Sequence, residues 1–108
     1  MRRGELYRIY RPPGDTKQQR VFVIVSRQTL IDARFPMVIC APVYTNGSGL
    51  STQVNVGFAE GLKHESWVLC DNLTSILKSA LTQYVGCLSP TKLAEVDRAL
   101  FMALDLRF

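Results

Sequence analysis

Arg20 stands at the mouth of a short apolar run, Val21-Phe22-Val23-Ile24-Val25, which Ser26 and Arg27 close at the other end. A run this short, fenced by polar residues, reads as a buried strand. An arginine on so rigid a support could hold a phosphate through its planar fork of donors. A second apolar run ends in Ala41-Pro42-Val43-Tyr44-Thr45 and offers two hydroxyl groups. A phenol such as that of Tyr44 is a better hydrogen-bond donor or general acid than a ready base. Neighbouring strand residues point to opposite faces, so Tyr44 and Thr45 can share one site only across a bulge or a strand end.

Other kinds of chemistry find little support. His64 is the single histidine and sits in the polar stretch Gly61-Leu62-Lys63-His64-Glu65-Ser66, which excludes an acid–base mechanism built on two histidines. Cys40, Cys70 and Cys87 make neither an even disulfide framework nor a zinc-ligand spacing. They read as buried structural thiols, and neither a metal nor another cofactor is expected. The excess positive charge, +4 overall with a pI near 9.2, is concentrated early. Arg2, Arg3, Arg8, Arg11, Lys17, Arg20, Arg27 and Arg34 face only Glu5, Asp15 and Asp32 there. Such a bias suits a polyanion or an acidic protein partner, or simply a solvated face.

The elements that must position these groups are mostly strands. Residues 6–11 alternate as a half-exposed first strand, and Pro12-Pro13-Gly14-Asp15 breaks it. Strands are expected over 21–25, 37–43, 52–56, 66–70 and 84–88, with a short irregular or helical piece over 28–33. Asn46-Gly47-Ser48-Gly49 is a turn by composition, and 57–65 reads as a loop. Residues 71–79 are too polar and punctuated to assign beyond a short helical turn. Ser89 caps a C-terminal helix with Pro90 at its first position, and Leu93, Val96 and Leu100 recur at helical spacing. Tyr7, Tyr10, Phe22 and Trp67 read as core or dimer-interface residues. The 108 residues suit one domain, 1–108, able to bury a core without staples. No run is long enough to span a membrane and the start lacks a signal peptide, so the cytoplasm is the expected address.

Four segments in order carry a resemblance: Arg3-Gly4-Glu5-Leu6-Tyr7, Gln19-Arg20-Val21-Phe22-Val23-Ile24-Val25-Ser26, Ala41-Pro42-Val43-Tyr44-Thr45 and Cys70-Asp71-Asn72-Leu73-Thr74-Ser75-Ile76. Together they resemble the MazF/PemK family of toxin endoribonucleases. The resemblance implies a mainly β fold, a small Src-homology-3-like barrel of the CcdB/MazF/PemK type with a C-terminal helix. It also implies metal-independent cutting of single-stranded RNA, most naturally mRNA, by the RNA's own 2′-hydroxyl. The products would be a 2′,3′-cyclic phosphate and a 5′-hydroxyl. Expected partners are single-stranded RNA, an antitoxin with an acidic or disordered tail, and a second copy in a homodimer.

Residue by residue, Arg20 matches the family arginine, with Val21 where a proline is usual. Tyr44 falls on the family threonine and Thr45 on its hydroxyl neighbour, so Arg20, Tyr44 and Thr45 are the candidate catalytic residues. Arg11, Lys17, Gln18 and Gln19 of the first loop, Ser26 and Arg27, and Asp71, Asn72 and Thr74 are the candidate RNA contacts. For Asp71 and Asn72 an Asx-type turn ending a strand is an equal reading. The first loop lacks the family's frequent Gly-Ser-Glu motif. Two rival readings remain open: a CcdB-like toxin that binds gyrase without cutting, and a weakened relative that binds RNA or antitoxin only.

Overall fold

The computed structural model describes residues 1–9 and 20–107. Seven antiparallel strands make one curled sheet: β1 (Glu5–Ile9), β2 (Arg20–Ile24), β3 (Met37–Tyr44), β4 (Gln53–Val56), β5 (Ser66–Leu69), β6 (Thr74–Leu77) and β7 (Gln83–Cys87). Their order is β4-β5-β3-β2-β1-β7, and β6 pairs with β3 on the side that β5 also uses. Helix α1 (Gln28–Asp32) follows β2, and α2 (Pro90–Ala103) closes the chain. This is a half-barrel with a C-terminal helix, in keeping with the mainly β toxin-type fold expected.

The apolar runs bury both faces of the sheet, as strands with no polar alternation must. On one face Leu6, Val23, Ala41, Val43 and Val68 pack with Val96 and Ala99 of α2. On the other, Phe22, Ile24, Val38 and Cys40 pack with Ile31 of α1 and Leu81. The Ser89 hydroxyl accepts the Lys92 N–H and caps α2, as its position before Pro90 suggests. The helix is then pinned at two points: Arg3 pairs with Asp97 at 2.8 Å, and the Lys92 ammonium donates to the Asn55 carbonyl at 2.7 Å.

The unassigned stretch 71–79 contains a strand. A 3-10 turn, Cys70–Asn72, carries the chain from β5 to β6, and a second one, Lys78–Ala80, follows. Strand β6 reads Thr74-Ser75-Ile76-Leu77, two hydroxyl residues and then two apolar ones, so no alternation declares itself, and only its pairing of Thr74 with Cys40 and Ile76 with Val38 makes it a strand. The expected loop 57–65 likewise holds a 3-10 turn, Phe58–Glu60, closed by Gly61. There φ is +91°, and an added Cβ would lie 2.2 Å from the Val85 carbonyl oxygen, so only glycine fits.

Strand β3 changes partner midway. Cys40 pairs with Thr74 of β6, and Val43 pairs with Val68 of β5. Pro42 falls at the changeover, where a residue without an N–H costs the sheet least. The gap between β5 and β6 is bridged by the Cys70–Asn72 turn, which brings that segment alongside the end of β3.

Candidate functional site

Val21 faces Val43 across the β2–β3 ladder, and Phe22 faces Pro42. Arg20 and Tyr44 each lie one residue beyond the first of these pairs. Period-two alternation therefore puts Arg20, Phe22, Pro42 and Tyr44 on one face, joined by Ile9, which faces Arg20 from β1. The Arg20 guanidinium carbon lies 5.6 Å from the centre of the Tyr44 ring, within cation–π range. Both side chains are half-buried, and Arg20 has no acidic partner among the described residues. Toward the described residues the fork of donors stays available to an anion.

The two residues border a hollow of about 300 Å³ lined by Ile9, Arg20, Phe22, Pro42, Tyr44, Asn72, Thr74 and Ile76. Its floor is apolar, from Ile9, Phe22, Pro42 and Ile76. Its rim is polar: a guanidinium, a phenol, an amide and a hydroxyl. Apolar lining can accept the face of a base, and the rim groups can hydrogen-bond its edge and the adjoining phosphate.

The candidate residues divide among several places. Arg20, Tyr44, Asn72 and Thr74 meet in this hollow. Asp71 does not line it: its Oδ2 accepts the Thr52 hydroxyl at 2.6 Å and ties the turn to the start of β4. Thr45 lies on the opposite face, in a second hollow with Arg8, Lys63 and His64. No bulge intervenes between it and Tyr44 to bring the two hydroxyls together. Ser26 is buried, and its Oγ accepts the Ile39 N–H at 2.7 Å. Arg27 is exposed at the start of α1. That end of the strand is about 20 Å from Arg20 at ~3.3 Å per residue. Arg11, Lys17, Gln18 and Gln19 fall outside the described residues.

Sequence reasoning missed the floor. Phe22 reads as ordinary core, and Ile9, Pro42 and Ile76 carry no chemical signal of their own. Their common face with Arg20 follows from strand register, which the alternation in β1 and β2 hints at. Among the described residues no three His, Cys, Asp or Glu side chains converge as a metal site would require. Burial pushes the Cys40 thiol up to about 12, and burial with the nearby Asp71 charge pushes Cys70 up to about 11. Neither is a ready nucleophile. Tyr7 is also raised, by burial and by the hydrogen bond it donates to Glu5 at 3.1 Å.

No helix among the described residues is long and apolar enough to cross a membrane. The family model of the PemK-like, MazF-like toxins of type II toxin–antitoxin systems matches residues 2–104. Endoribonuclease MazF3 of Mycobacterium tuberculosis is 30% identical over 84 residues, which cover 78% of this chain and 82% of that protein. Among solved structures, the Mycobacterium tuberculosis toxin MazF-mt6 superposes with a TM-score of 0.83 at 26% identity, covering 96% of this chain and 99% of that one. A mycobacterial endoribonuclease in complex with its cognate antitoxin gives a TM-score of 0.83 at 25% identity, over 98% and 96% of the two chains.

Proposed function

The chain belongs to the PemK-like, MazF-like toxins of type II toxin–antitoxin systems, and from that premise we propose that it is a metal-independent endoribonuclease acting on single-stranded RNA. The observation that carries this reading is the pairing of Arg20 with Tyr44 over an apolar floor rimmed by Asn72 and Thr74. A base seats on Phe22, Pro42 and Ile76, and the amide of Asn72 and hydroxyl of Thr74 engage its edge. The scissile phosphate then lies against the guanidinium.

The reaction needs no outside nucleophile. The 2′-oxygen attacks phosphorus as its proton leaves to solvent, and the bond from phosphorus to the 5′-oxygen breaks. A 2′,3′-cyclic phosphate remains on one fragment. Arg20 stabilises the negative charge that gathers on the phosphate oxygens. The Tyr44 phenol donates to the departing 5′-oxygen, the general-acid role that a threonine would fill less well. The cation–π contact holds both groups in place.

The whole chain acts as one toxin unit in the cytoplasm, where mRNA is found. It is restrained by an antitoxin with an acidic tail, which the early excess of basic residues suits. It works as a homodimer. In support, Met102, Leu104 and Leu106 are about half exposed at the end of α2, an apolar area that a second copy would cover.

Cleavage of a long single-stranded RNA in EDTA tests the reading. Defined cuts are expected from the wild type. Arg20→Ala should lower the rate by about 10²–10³, the usual cost of losing one donor to a developing anion. If wild type and Arg20→Ala are equally inert, the nuclease reading fails and a binding-only relative replaces it.

A further inference from the structure

On the other face of the same strand ends lies a second hollow, of about 200 Å³, lined by Arg8, Val21, Val43, Thr45, Leu62, Lys63, His64 and Ser66. Among the described residues no acidic side chain lines it, and Arg8, Lys63 and His64 make no ion pair. Ser66 donates its hydroxyl to the His64 carbonyl at 3.0 Å, which holds the loop that carries Lys63 and His64. Arg8 faces Val21 across the sheet and is only half-buried. It occupies the face that Leu6 and Val23 fill with core, where a cation with no counter-ion among the described residues is a poor choice for packing alone.

The two hollows flank the same strand ends. Ile9 and Arg8, Arg20 and Val21, Tyr44 and Thr45 are chain neighbours, and in each pair one residue lines one hollow and one the other. A flexible polyanion engaged by Arg20 and Tyr44 can therefore continue past the end of β3 and meet Arg8, Lys63 and the Thr45 hydroxyl. We infer that this second hollow binds a backbone phosphate of the RNA flanking the cut, so that the strand bends past Tyr44 and Thr45 at the end of β3. The site rests on the nuclease reading for the identity of its ligand. Its residues touch no reacting atom, and they supply affinity and direction to the strand.

The test uses RNA carrying 2′-O-methyl groups throughout, which binds but lacks the attacking hydroxyl. One oligomer is short enough to fill a single hollow, and a longer one spans both. Wild type should bind the longer one more tightly. Arg8→Gln with Lys63→Gln should lose about tenfold of that gain. The salt slope should fall by about 0.7, the share of one phosphate contact in a single strand. Lys63 is exposed, so Lys63→Gln alone, expected to lower the slope in the same direction, serves if the Arg8 variant does not fold. The short oligomer should bind all of these alike, and Arg20→Ala should weaken both oligomers. An unchanged length gain and salt slope in the Arg8 and Lys63 variants would overturn the proposal. So would variants that keep RNA binding but lose an oligoglutamate peptide, which would assign the hollow to an acidic protein partner. If the wild type cuts no RNA yet its grip on the long oligomer still depends on Arg8 and Lys63, the nuclease reading has failed and the phosphate site stands.

Discussion

Tyr44 is the residue on which the proposed chemistry turns. Where the family pattern has a threonine, this chain places a phenol over the guanidinium that would hold the phosphate. Tyr44→Phe keeps the ring against Arg20 and removes only the hydroxyl. If the phenol protonates the leaving oxygen, that variant should cut RNA about 10²-fold more slowly or worse, with little change in RNA affinity. An unaltered rate would remove Tyr44 from the mechanism. The cysteines make a second prediction at this scale. With thiols pushed up to about 12 and about 11, Cys40 and Cys70 carry almost no thiolate at pH 8, and both are buried. Cys87 is exposed. Native protein should therefore take up one alkyl group from iodoacetamide, mapped by mass spectrometry to Cys87, and three after unfolding.

Elements are held by a few local devices whose removal should be felt as stability. Ser89→Ala deletes the cap of α2 and should cost about 1 kcal/mol in urea unfolding. Gly61→Ala should cost more than about 1 kcal/mol, because the left-handed backbone and the Val85 carbonyl both oppose a side chain. Much at this scale was legible in the sequence. The β2 and β3 runs, the α2 helix with its Ser-Pro start, and the turn glycines each follow from local pattern. Strand β6 was not, since Thr74-Ser75-Ile76-Leu77 becomes a strand only by pairing with the first half of β3. The 3-10 turn Cys70–Asn72 was hidden for the same reason: it spans a gap that only the sheet order creates.

At the scale of the whole molecule, the apolar end of α2 predicts self-association. Leu104→Glu should shift sedimentation from dimer to monomer, and an unchanged dimer would place the interface elsewhere. Alkaline pH should loosen the fold. Two buried thiols whose folded values lie above the ordinary 9.0 contribute stability that is complete below that value. As pH rises past 9.0 the unfolded chain releases protons that the folded one retains, so stability should fall until about 11 for Cys70 and about 12 for Cys40. Thermal melts from pH 8 upward read this directly, and Cys40→Ala should flatten the decline. The sequence by itself determined every strand but β6, that Arg20 opens a rigid one, and that Tyr44 and Thr45 point to opposite faces unless a bulge or strand end intervenes, because strand alternation is local. Tertiary structure alone decided that Tyr44 covers Arg20, that Asn72 and Thr74 join them while Asp71 turns to Thr52, and that Thr45 falls in with Arg8, Lys63 and His64. Those neighbours are separated by tens of residues. Their meeting is set by ladder register and by the point at which β3 changes partner, and no local pattern encodes either.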